Sequence, residues 1–275
     1  MIIDFHTHIF PTKIAGITIE KLHNNSGNPP FSDGTEDGLN KALNKANADL
    51  AVSLPVLTKP TQFDSVVRFA LEINSKYEKG EGKILSFAGM HPLCEDIKGK
   101  MKFLKENGFK GVKIHPDFQE TPIDSDGYIE ILKCAKDLDL IVVTHAGVDD
   151  GYIGKPVMCP PEKVKKIINK VGHEKFVLAH YGGHKQWEEV LNTLAGEKVY
   201  FDTAFTLYKI NENLFKDVLS KHGDDRVLFA TDSPWRDILY EVNVLNSFNL
   251  SKETTDKILY KNAVKLLGLG DKYGI

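Results

Sequence analysis

Eight short apolar runs, separated by longer amphipathic stretches, constrain the fold of this chain more than any other feature. The runs lie at residues 1–5, 48–56, 84–90, 111–114, 140–144, 175–179, 199–203 and 227–231. LIVVT at 140–144 and KFVLA at 175–179 are continuous and β-rich, the pattern of parallel strands covered on both faces. Between the runs the apolar period becomes that of a helix. SVVRFALEINSKY brings Val66, Phe69, Leu71 and Ile73 near one another, and PEKVKKIINKVG sets Val164, Ile167, Ile168 and Val171 behind Pro161 in a first turn. HKQWEEVLNTLAG and NENLFKDVLSKHG repeat the pattern, each ending in a glycine suited to a C-terminal cap. Eight strand–helix units in 275 residues predict an α/β fold, a single-domain (β/α)8 TIM barrel spanning 1–275, with an open doubly wound sheet as the alternative. Segment 11–37, with its turn-rich NNSGNPPFSDG core, is the one long irregular stretch; it is expected to be an insertion loop at the barrel mouth.

Composition narrows the function classes. Hydrophobic residues at 41% and charged residues at 27% fit a soluble globular protein. A net charge of -3 gives no electrostatic reason to expect nucleic acid or an anionic membrane as partner. No apolar stretch approaches the ~18 residues of a membrane span, and MIIDFHTHIF lacks the features of a signal peptide. Cys94, Cys134 and Cys159 are odd in number and far apart, as expected of reduced thiols. A cytoplasmic enzyme acting on a small molecule is the expectation.

The ends of the strands are polar. His6 and His8 close the first, Lys113 and His115 the fourth, His145 the fifth, His180 the sixth and Asp232 the eighth, while GMHP puts His91 at the end of the third. In a TIM barrel these ends face the active site. Residues i and i+2 of a strand point to one side, so His6 and His8 can reach a common ion. Imidazole and carboxylate ligands suit Zn2+, with Mn2+, Fe2+ or Ni2+ as alternatives. A lone His-x-His is as often structural as ligating; the coincidence of such residues at the ends of several strands favours a site. Lys113, Tyr152 and Arg236 are candidates for holding an anionic group, set against packing of Tyr152 in its loop and a surface ion pair for Arg236. His23, His173, His184 and His222 read as surface residues.

The order HTH, KIHP, THAG, LAHYGG, ATDSPW resembles the amidohydrolase superfamily, in its amidohydrolase-related (amidohydrolase 2) branch, along nearly the whole chain. The resemblance implies that His6, His8, His145 and Asp232 lie at the metal centre. It implies that His180 binds a second ion or polarises the substrate, and that Asp232 also moves the proton of an attacking water. KIHP resembles the setting of the dihydroorotase lysine, which is carboxylated and bridges two metals. Lys113 is thus a ligand if carboxylated and a substrate-binding residue, beside His115, if not. Single-metal sites are common in this branch, so one ion is favoured over two; a homodimer is in keeping with the relatives.

The leading expectation is a metal-dependent hydrolase attacking an amide, lactone or ester of a small anionic molecule, with Asp232 and His180 catalytic. The alternative is non-oxidative decarboxylation of an unsaturated or aromatic carboxylic acid. A TatD-like nuclease is disfavoured because those relatives carry a strand-four glutamate where this chain has Lys113, and a non-catalytic barrel is disfavoured because no ligand is missing.

Overall fold

A computed structural model describes residues 1–274; Ile275, the last residue of the expected 1–275 domain, lies outside the described residues. The strands are β1 (Ile3–Thr7), β2 (Leu50–Ser53), β3 (Ile84–Ser86), β4 (Ala88–Gly89), β5 (Gly111–Ile114), β6 (Ile141–Thr144), β7 (Phe176–Leu178), β8 (Tyr200–Asp202) and β9 (Val227–Leu228). They pair in parallel, in chain order, as β1-β2-β3 and β4-β5-β6-β7-β8-β9. β3 and β4 are two pieces of one barrel strand, and Phe87 between them still donates to Ser53 O at 2.9 Å. The ring closes where Phe5 N donates to Phe229 O and Asp232 N to His6 O, both at 2.9 Å, beside a bridge from Thr7 to Ser233. The fold is a (β/α)8 barrel, and each of the eight apolar runs supplies one of its strands.

Alternation within the strands builds two cores. Ile3, Phe5, Leu50, Val52, Leu85, Phe87, Ile141 and Val143 form one buried cluster, extended by Ala263, Val264 and Leu266 of a C-terminal helix. Neighbouring positions, such as Ala51, Val112, Val142, Phe176 and Phe201, join a larger cluster with the surrounding helices. Both faces of the sheet are therefore dry, which is why the strands read as continuous apolar runs.

Two expectations are corrected. Segment 11–37 is not irregular: Thr12–Ser26 is a helix, α1, that buries Ala15 and Ile19 and ends at Gly27 in the left-handed region (φ 73°). Its weak apolar pattern hid it, because most of its length faces away from the core. A second helix, α2 (Glu36–Lys45), follows, capped by Thr35 accepting from Gly38 N. The buried face of α3 (Phe63–Glu78) is Phe63, Val67, Ala70, Ile73 and Asn74, whereas Val66, Phe69 and Leu71 are only partly covered. No helix among the described residues is long and apolar enough to cross a membrane.

Candidate metal centre

The C-terminal strand ends bring His6, His8 and Asp232 together in three dimensions. The register slips between Asp4 and Thr7 of β1, a bulge of the kind that re-aims side chains beside active sites. His180 and Asp232 sit just past β7 and β9 in the left-handed region, at φ 59° and 68°. A non-glycine residue held there stores strain on the order of 1 kcal/mol, which persists only where surroundings over-determine it.

Hydrogen bonds fix the tautomers around the centre. Nδ1 of His6 donates to Asp202 Oδ2 at 2.9 Å, Nδ1 of His8 to Leu54 O at 2.8 Å, and Nδ1 of His180 to Ala204 O at 2.9 Å. Each Nε2 is left with an inward lone pair. The Nε2 atoms of His6 and His8 stand 3.2 Å apart, and Asp232 Oδ1 is 3.4 and 3.0 Å from them. Two lone pairs and a carboxylate this close repel unless they share a cation. Ligands at about 2.0–2.1 Å from a zinc-like ion lie roughly 3.0–3.4 Å from one another, so the donor set fits a divalent metal.

Electrostatics agree with that arrangement. Burial, aided by the Lys113 charge, holds His6 well below its ordinary pKa, so it stays neutral and able to ligate. Burial alone would raise Asp232, and positive charge at the imidazoles, or a cation held among them, is what keeps its carboxyl far below the usual range. Lys113, fully buried, places Nζ 3.0 Å from His6 Nε2, and burial lowers its pKa to about 8.

His145 lies apart from the triad. Its Nδ1 is 2.9 Å from His180 Nε2, while its Nε2 has no hydrogen-bond partner among the described residues and faces Asp117 Oδ2, likewise unpartnered, at 3.9 Å. His115 stacks between Phe118 and His145, at 4.0 and 4.3 Å between ring centroids. Its Nδ1 accepts from Phe118 N at 3.3 Å, so Nε2 carries the proton and points it at Asp149 Oδ2, 3.5 Å away. His115, His145 and Asp149 thus form a second cluster beside the triad, joined by ring stacking and an ion-pair contact, with ligand atoms within 4.8 Å of one another. Burial raises the Asp117 carboxyl to about 6 and that of Asp149 to about 7.

Other expected residues take varied places. Tyr152 packs against Phe118 at 5.7 Å, and Arg236 Nε donates to Glu241 at 2.8 Å. His91 is a turn histidine accepting from Leu93 N at 3.1 Å. His173, His184 and His222 are buried, not on the surface. His222 lies flat on Phe201 at 3.9 Å, and His184 sits between Trp187 and Phe205, aromatic neighbours that no local pattern in the sequence marks. Asp202, Asp117 and Asp149 were absent from the sequence reading. Asp202 could have been found by the rule that found Asp232, since it too is a carboxylate at a strand end.

The description "Amidohydrolase" belongs to the family model matching residues 97–269, more than half of the chain. Comparison with curated proteins finds no match. Among solved structures, an uncharacterized TIM-barrel protein from Bordetella bronchiseptica superposes with a TM-score of 0.78 at 14% identity, covering 98% of this chain and 99% of that one. 2,6-Dihydroxybenzoate decarboxylase from Rhizobium gives 0.70 at 15%, covering 98% of each chain. 5-Carboxyvanillate decarboxylase from Novosphingobium aromaticivorans, complexed with manganese and a nitrobenzoic acid, gives 0.71 at 14%, covering 98% of this chain and 96% of that one. At these identities the structures speak for the fold alone, and they agree on the barrel. With the family match over its C-terminal two-thirds and a strand-end donor set in place, the chain belongs to the amidohydrolase family.

Proposed function

We propose that the chain is a metal-dependent, non-oxidative decarboxylase of a small unsaturated or aromatic carboxylic acid. One observation carries this reading: the buried Lys113 ammonium lies 3.0 Å from His6 Nε2, so cation and metal triad form one carboxylate-binding floor. Decarboxylases of the same fold, one of them holding manganese and a substituted benzoic acid, support it. They reverse the order of the sequence-based expectation, in which hydrolysis led.

His6, His8 and Asp232 would hold the ion. A divalent cation there supplies positive charge and Lewis acidity to the substrate; manganese is in keeping with the structural neighbours, and zinc with the imidazole-rich set. Lys113 grips the substrate carboxylate. The bond between that carboxylate and its carbon breaks, the electron pair stays on carbon, and a proton must arrive as carbon dioxide leaves. Asp232, held ionised, is suited to be ligand and base and poorly suited to be the acid. Asp149, raised by burial to about 7 and 3.5 Å from His115 Nε2, still holds a proton near neutrality and is the better donor.

Hydrolysis of an amide, lactone or ester is the second reading, and the His145–His180 pair favours it. If His145 Nε2–H serves Asp117, two lone pairs face each other at 2.9 Å, a contact that a second cation held by His145 and His180 would relieve, with Lys113, if carboxylated, adding an anionic donor. Asp232 would then take the proton of the attacking water. The test supplies the protein with manganese or zinc and compares carbon dioxide release from aromatic and unsaturated acids with cleavage of amides and lactones. Release of carbon dioxide that vanishes in His8→Ala is the expected result. Hydrolysis without it, with two metal equivalents per chain, would replace the first reading by the second.

A further inference from the structure

We propose that Arg236 forms a distal anion subsite, so that the substrate carries a second acidic group besides the one at the metal floor. The inference deepens the carboxylic-acid reading above and rests on it. Arg236 is carried by the turn that begins at Asp232, where Trp235 N donates to Asp232 O at 2.9 Å. That turn is tied to the first strand by His8 N to Ser233 O and to the mouth segment by Phe31 N to Pro234 O, both at 2.6 Å. The backbone that carries Arg236 is therefore tied both to the strand end that bears His8 and to Asp232.

Its guanidinium is held by face and by edge. The face lies 3.6 Å from the Tyr208 ring centroid, with Phe31 at 5.2 Å and Tyr240 at 5.1 Å around it. The edge is anchored through Nε to Glu241 Oε1 at 2.8 Å. An ion pair serving only to staple the helix would use the guanidinium fork on both carboxylate oxygens. Here Glu241 Oε2 is buried without a partner, and no acceptor takes the terminal Arg236 N–H groups among the described residues. The side chain keeps 13% exposure, enough for a ligand to reach the open fork. A preorganised, unspent fork beside aromatic rings matches a planar acid with a second carboxylate.

Calorimetric titration of the manganese-supplied protein with benzoate and with benzene-1,2-, 1,3- and 1,4-dicarboxylate tests the subsite. At least one dicarboxylate should bind roughly 10-fold or more tightly than benzoate, the margin of a charge-assisted hydrogen bond. Because R236Q alone strands a buried Glu241, the R236Q/E241Q double variant is the decisive one, with its melting curve as the check on folding. It should erase the dicarboxylate advantage and leave benzoate affinity unchanged. Equal affinity for all four acids in the natural protein, or an advantage that survives in a folded double variant, would overturn the subsite alone. Failure of every acid to bind would overturn the carboxylic-acid reading and this inference with it.

Discussion

At the scale of single residues, the centre depends on side chains that do not themselves reach the triad's focus. Asp202 accepts from His6 Nδ1 with one oxygen, and with the other from the backbone N–H groups of His180 and Ala204 at 3.0 and 3.1 Å. It thereby fixes one proposed ligand directly and locates a second histidine through its backbone. Replacing such an outer partner of a metal-bound histidine typically lowers metal affinity about 10- to 100-fold. Asp202→Asn should therefore weaken manganese binding by that order in a chelator-competition titration; unchanged affinity would show that Leu54, Lys113 and packing suffice. The ligand candidates were legible in the sequence because chemistry and strand position coincide in them. Asp202 was not legible as a partner of His6, since only the closed ring brings residues 196 positions apart into contact.

At the scale of elements, the loops after β6 and β7 run together above the site. His184 N donates to Ala146 O at 2.9 Å and Val148 N to His184 O at 3.0 Å. Gly147 makes this possible: its φ is 84°, and a Cβ there would lie 2.2 Å from His184 N and 2.5 Å from His184 O. Backbone cannot yield as a flexible side chain can, so Gly147→Ala should separate the loops and lower the melting temperature, with a loss on the order of 2 kcal/mol or more. It should also weaken metal binding less than H8A does, since the triad lies on other strands. Equal stability of the alanine variant in thermal melts would refute the close-approach argument. The helix α1 shows the limit of pattern reading. Only Ala15 and Ile19 of its fifteen residues are buried, so little periodic apolar signal marked it against the turn-rich stretch behind it.

For the whole molecule, buried titratable groups set the response to pH. His173 and His222 both have pKa values lowered by burial to about 4, below the ordinary 6.5. The folded protein thus prefers them neutral, and the unfolded chain binds more protons between those values. Stability from these two groups is complete above about pH 6.5 and is lost as pH falls through about 4. His222→Phe, which preserves the stack on Phe201, should flatten part of that acid-side slope in urea melts, by on the order of 1–3 kcal/mol at pH 4. An unchanged slope would mean that His222 does not contribute. Metal should act in the other direction: at about 100 times its dissociation constant an ion that binds only the folded state adds ~2.7 kcal/mol. Chelation should accordingly lower the melting temperature of the natural protein and leave that of H8A nearly unmoved.

The sequence by itself determined the barrel and the identity of its polar strand ends. Both are local properties: continuous apolar runs mark strands buried on two faces, and His6, His8, Lys113, His145, His180 and Asp232 stand where those runs stop. What only the tertiary structure decided is how those residues divide among themselves. Ring closure and the β1 bulge gather His6, His8 and Asp232 into one donor set, while a hydrogen bond draws His145 to His180 and an ion-pair contact draws His115 to Asp149. Ligand grouping depends on separations of a few ångströms between strands distant in the chain. Local periodicity carries no information at that scale.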